Sequence, residues 1–175
     1  MKKLVFIFTL LISFNFHAQS IFDKYEDYDD VTSVIVTDEM FKLLKEIEPE
    51  SEKAKEEIGV LSNLTGLKVF ATENEKVATE MATDAEKYAQ DKKMTELMRI
   101  NDQDAKVKFY IVKGDQPHIA KELVMIVNSK NQQKNNVIMV VTGDIDLKKL
   151  SKLNNKVKVI NGKYLEEVEK AQKGS

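Results

Sequence analysis

The chain of 175 residues carries 27 basic and 29 acidic side chains, a formal net charge of −2, and no cysteine. The lack of cysteine excludes disulfides, thiolate catalysis, Cys-based zinc sites and a lipid-bearing N-terminal cysteine. Arg99 is the sole arginine and the lysines are interleaved with acids, a distribution that argues against nucleic acid as a partner.

The first element in chain order is an export address. MKK supplies a short basic start, LVFIFTLLISFNF an apolar stretch, and HAQS small residues at which cleavage can follow Ala18 or Ser20. The apolar run is shorter than the roughly 20 residues a bilayer span needs. A signal peptide over residues 1–18 leaves a single domain from 19 to 175. Losing Lys2 and Lys3 takes its formal charge to −4. The expected location is periplasmic or secreted, with no transmembrane anchor after cleavage.

VTSVIVT (31–37) is short and β-branched, and reads as a strand. In DEMFKLLKEIEPE, Met40, Phe41, Leu44 and Ile47 fall on one helical face and Pro49 ends the pattern. Ser51 can cap a second helix along which Ala54, Ile58 and Leu61 align. LKVFAT (67–72) is a second strand, entered through a Thr65-Gly66 turn. The clearest helix follows: Thr72 and Glu75 have capping-box spacing, and Val77, Met81, Ala85 and Tyr88 recur on one face to about Lys93.

Beyond this helix the period changes. ELMRI (96–100), KVKFYIV (106–112), KELVMIV (121–127) and NVIMVV (136–141) are apolar segments joined by polar connections, the pattern of an antiparallel meander. In KVKFYIV, Lys106 and Lys108 are expected to face water, with Val107, Phe109 and Ile111 inward. LVMIV and VIMVV are continuous apolar runs, as expected of strands covered on both faces. Asp144 or Asp146 can cap a short helix bearing Leu147 and Leu150. VKVING is ambiguous, and YLEEVEKA reads as a final helix. The expected fold is α+β: a mixed, mostly antiparallel sheet of about six strands with helices largely on one face.

Five stretches invite a chemical reading. In FDKYEDYDDV, Phe22, Tyr25 and Tyr28 are spaced by three, which puts the aromatics on one side of a helical turn and the acids elsewhere, with Ser20 and Asp23 at its start. Asp27, Asp29 and Asp38 match positions one, three and twelve of a calcium loop, but Val31 and Thr32 stand where it needs a ligand and a glycine. The turn reading is therefore preferred. The two carboxylates of GDID (143–146) could hold a metal, yet aspartate there is also what a helix start needs. His118, within KGDQPHIA, lies in a turn and has no serine in a nucleophile-elbow setting to activate. The sequon at Asn63 is uninformative, and NSKNQQKNN (128–136) is a polar hairpin loop.

The blocks FDKYEDYDDVTSVIVTDEMF, LTGLKVFATEN, ELMRINDQDAKVKFYI and VVTGDIDLKKLSKL resemble a bacterial family catalogued as domain of unknown function 4252, over about Phe22 to Leu153. The resemblance implies an exported envelope protein, in that family often a lipoprotein, although this chain has no cysteine to lipidate. It implies no activity.

No residue is singled out as catalytic, cofactor-binding or metal-ligating, and no cofactor is expected. The preferred function is a non-enzymatic envelope protein that binds a protein or small ligand through its sheet or loops. The alternative is a small hydrolase using carboxylates or His118. An uncovered edge strand or exposed apolar face would support the first, and a pocket with convergent carboxylates the second.

Overall fold

A computed structural model describes residues 20–131 and 135–149. Residues 1–18, expected to be a signal peptide, together with Leu150, VKVING and YLEEVEKA, lie outside the described residues. The six strands are β1 (Thr32–Val36), β2 (Leu64–Thr72), β3 (Thr95–Asn101), β4 (Ala105–Lys113), β5 (Ile119–Ser129) and β6 (Asn136–Asp146). They form one sheet in the order β1-β2-β6-β5-β4-β3, and all its pairings are antiparallel. A 3-10 helix, Asp23–Asp27, precedes β1, and the α-helices are α1 (Asp38–Glu46), α2 (Glu52–Leu61) and α3 (Glu75–Asp91). Among the described residues no helix is long and apolar enough to cross a membrane.

The α+β class and the late meander appear as expected. Helix α3 carries the chain from β2, second in the sheet, to β3 at the far edge. That journey crosses four strand spacings, about 19 Å, and seventeen helical residues cover about 25 Å. Three hairpins then return the chain until β6 pairs with β2.

The helices do not gather largely on one face. Leu123, Met125 and Val127 of β5 pack in one core with Phe41 and Leu44 of α1 and Leu61 of α2. Val124 and Ile126, pointing the opposite way, pack with Phe22, Tyr25, Met81 and Ala85 from the 3-10 helix and α3. The physical reason is the continuous apolar character of β5 and β6. Alternation sends such a run to both faces, so both need cover.

Local expectations divide. Ser51 caps α2 by accepting the Ala54 N–H at 3.1 Å. Thr72 does not cap α3; Asn74 does, accepting from Lys76 and Val77, while Thr72 donates to the Asp30 carbonyl. Thr65-Gly66 is no entry turn but a register irregularity within β2, where a Gly66 Cβ would meet Thr142 Oγ1 at 2.7 Å. Lys106 is exposed, whereas Lys108 lies beside α3 and pairs with Glu86 at 2.5 Å.

Candidate functional site

FDKYEDYDDV is an anchor. Phe22 and Tyr25 are fully buried, with the Phe22 ring 5.0 Å from Tyr88 and 6.2 Å from Phe70. The Tyr25 hydroxyl donates to Asp84 at 2.7 Å; burial, and then that hydrogen bond, raise its pKa. Lys24 pairs with Asp84 and Glu80, whose hydrogen bonds raise its pKa in turn. Asp23 and Glu26 both pair with Lys68 of β2. Burial works against the Lys68 charge, but the two carboxylates outweigh it and the pKa rises. Asp30 accepts from the Asn74 amide at 2.8 Å. The acids thus tie the 3-10 helix to β2 and α3, while Asp27 and Asp29 are exposed. Asp38, the twelfth position of the calcium pattern, starts α1 and pairs with Lys42 at 2.8 Å. Among the described residues no group of three or more His, Asp or Glu could hold a metal ion.

A buried cluster secures the other end of α3. Glu122 of β5 is 6% exposed and accepts from the Tyr88 hydroxyl at 2.5 Å and from Lys92 Nζ at 2.7 Å. Burial and the bond to Glu122 raise the Tyr88 pKa. Burial opposes the Lys92 charge, yet its bonds to Glu122 and Tyr88 prevail and raise it.

GDID lines a cleft of about 210 Å³ at one end of the sheet, together with Asp115 and Lys121. Its carboxylates are engaged. Asp144 pairs with Lys121 at 2.8 Å and Asp115 with the same lysine at 3.1 Å. Their hydrogen bonds, Asp144 first, raise the Lys121 pKa. Asp146 accepts the N–H groups of Lys148 and Lys149, and so supplies the helix start expected of this motif. His118 is half-buried between β4 and β5, where its carbonyl accepts from the Leu147 N–H; among the described residues no hydrogen bond or ion pair involves its imidazole. A second groove, of about 390 Å³, runs beside α3 and is lined by Glu75, Glu86, Asn128 and Asn136, but Glu86 is spent on Lys108. Neither cavity brings two carboxylates to bear on a common point outside an ion pair or cap.

The feature that stands apart is apolar. On α1 and its C-cap, Phe41 is 3% exposed and Leu44 packs against the same core, whereas Met40, Leu43 and Ile47 are 53%, 57% and 52% exposed. Met40 and Ile47, expected inward, face solvent instead. Five apolar residues over eight positions make an arc wider than one sheet contact can cover. Their spacing of three and four gathers the exposed three into a stripe. Strand β1 directly precedes α1 in the chain and ends the sheet, with no strand on its outer side among the described residues. It exposes Val34 and Ile35, which alternation sends to opposite faces. Val34 shares its face with Val36, which packs in the same core as α1.

The two edges of the sheet differ. β3 carries Glu96 and Arg99, paired at 2.7 Å, and a register irregularity between Glu96 and Met98, both devices that discourage strand addition. β1, TSVIV, has no charge, no proline and no irregularity, and among these devices has only its shortness. The sequence singled out neither Leu43 nor Val34. The signal that could have found them is the surplus of apolar positions on α1 beside an uncharged strand.

The architecture defines a small two-faced α+β domain built on an antiparallel sheet, with one charged edge, β3, and one edge, β1, that has no strand beyond it among the described residues. The chain belongs to the family described as domain of unknown function (DUF4252), which matches residues 25–153. No curated protein and no solved structure matches it.

Proposed function

We propose that this protein is an exported, non-enzymatic interaction module of the cell envelope, which binds a protein partner through α1 and the open edge β1. The observations that carry the reading are the stripe of Met40, Leu43 and Ile47, each more than half exposed, and, separately, an uncharged edge strand with Val34 and Ile35 exposed. Clustered exposed apolar side chains on one helix face mark an interaction site more often than they occur by chance, and an uncharged edge strand is a ready template for another strand. In the cleft lined by GDID, Asp115 and Asp144 are engaged by Lys121 and Asp146 by backbone amides.

The test is site-specific photo-crosslinking in native cells with the crosslinker at Met40. A discrete adduct in the envelope fraction is expected, lost when Leu43→Glu is added to a chain that still folds. An adduct pattern indifferent to Leu43→Glu would remove the reading.

A further inference from the structure

The charge around β1 narrows the chemistry of the partner. From Asp23 to Glu50 the chain holds ten acids and three lysines, a formal −7, against −2 for the whole sequence. Asp29 and Asp30 precede the strand with Val31 between, and Asp38 and Glu39, the first residues of α1, follow it with Thr37 between. Lys42 pairs with both Asp38 and Glu39 and offsets only one of them; Lys24 and Lys68 are committed to carboxylates of α3 and the 3-10 helix. An uncharged, β-branched edge is thus bracketed by acids at both ends.

A second copy of this chain is a poor occupant. Two β1 strands paired antiparallel about Val34 would bring the acids that flank one strand, Asp30 and Asp38, toward those that flank the other, and like charges brought close oppose the pairing. We infer that β1 accepts, as a seventh strand, an extended segment of another protein with an apolar β-branched centre and a lysine or arginine at each end. Main-chain hydrogen bonds to the outer side of β1 supply the attachment, Val34 and Ile35 the alternate side-chain contacts, and the flanking acids the polarity. This rests on the interaction reading above and specifies its occupant.

The experiment uses the mature chain and a synthetic peptide, acetyl-Lys-Val-Thr-Val-Thr-Val-Lys-amide, with binding followed by fluorescence anisotropy. Saturable binding is expected. Glutamate in place of both peptide lysines should abolish it, and Asp29→Asn with Glu39→Gln should weaken it about fivefold, as expected for two exposed ion pairs. Two versions N-methylated on alternate residues separate strand addition from adhesion: the one blocking the amides that face β1 should fail and the other should bind. Equal binding by both, or by the glutamate peptide, would overturn the inference. So would a photo-crosslinker at Val34 that joins to a second copy or to residues 150–175 of the same chain in place of the peptide. If the peptide fails while cellular adducts remain sensitive to Leu43→Glu, only the strand-addition inference falls. If those adducts are insensitive, the interaction reading falls first.

Discussion

The Tyr88 hydroxyl donates to Glu122 at 2.5 Å, which fixes the last turns of α3 to the central strand β5 through a carboxylate that is almost fully buried. Lys92 completes the arrangement at 2.7 Å. Removing the carboxylate strands two donors, so Glu122→Ala should cost about 2–3 kcal/mol and Tyr88→Phe about 1–2 kcal/mol. Urea unfolding of the single variants and the double variant would measure this. A coupling of less than about 0.5 kcal/mol would show that the two residues act independently.

Phe22 lies between Phe70 and Tyr88 with no exposed surface. Phe22→Ala should therefore destabilise by about 3–5 kcal/mol, the usual cost of emptying a buried aromatic site. Thermal unfolding followed by circular dichroism reads this directly. Ser20 is part of the same anchor, because its N–H donates to Asp23 Oδ2 at 3.0 Å. If the chain is exported as proposed, cleavage after Ala18 would keep that bond whereas cleavage after Ser20 would remove it, so intact mass should place the N-terminus at Gln19.

Phe41 and Leu43 are two positions apart on α1 and should respond oppositely. Phe41→Ala, in the core, should cost about 3–5 kcal/mol. Leu43→Glu, on the exposed stripe, should change stability by no more than about 0.5 kcal/mol. Denaturant midpoints of the two variants decide the matter, and a large loss for Leu43→Glu would mean that the stripe is covered within the chain.

Gly143 has φ +121°, and a Cβ there would come within 2.6 Å of Leu64 Cα where β6 meets the start of β2. Gly143→Ala combines backbone strain with a clash against main-chain atoms that cannot turn aside. A loss of about 2–3 kcal/mol is expected in urea unfolding. The Asp144 N–H bond to the Asn63 carbonyl should weaken with it, visible as faster amide exchange at Asp144.

Alkaline pH should unfold the protein earlier than acid–base chemistry of exposed groups would. Tyr25 and Tyr88 have raised pKa values in the fold, as do Lys68 and Lys92. Above about pH 10 the unfolded chain loses these protons first, so stability is fully present below that value and falls as pH rises beyond it. Absorbance of tyrosinate and circular dichroism recorded together should show Tyr25 and Tyr88 ionising with unfolding. Ionisation of all tyrosines before any loss of ellipticity would contradict this.

Much of the fold was legible because burial leaves a period in the sequence. The alternation of KVKFYIV, the continuous runs LVMIV and VIMVV, and the α3 face from Val77 to Tyr88 each report how many sides of an element are covered. FDKYEDYDDV was readable as a turn for the same reason, since its aromatics repeat at three. Lys108 was misjudged because its partner, Glu86, comes from an element distant in the chain. Asn74 took the cap expected of Thr72 because Thr72 is drawn to the Asp30 carbonyl, a contact that no local spacing announces.

The residues themselves determined the α+β class, the meander, the aromatic anchor and the absence of thiol chemistry, because each depends on composition or on neighbours within a few positions. Only the tertiary structure decided that helices cover both faces, that β1 rather than β3 is the undefended edge, and that Met40, Leu43 and Ile47 are left outside the core. The cause is physical: a local pattern states that a side chain is apolar, but whether anything covers it depends on the area that distant elements can reach.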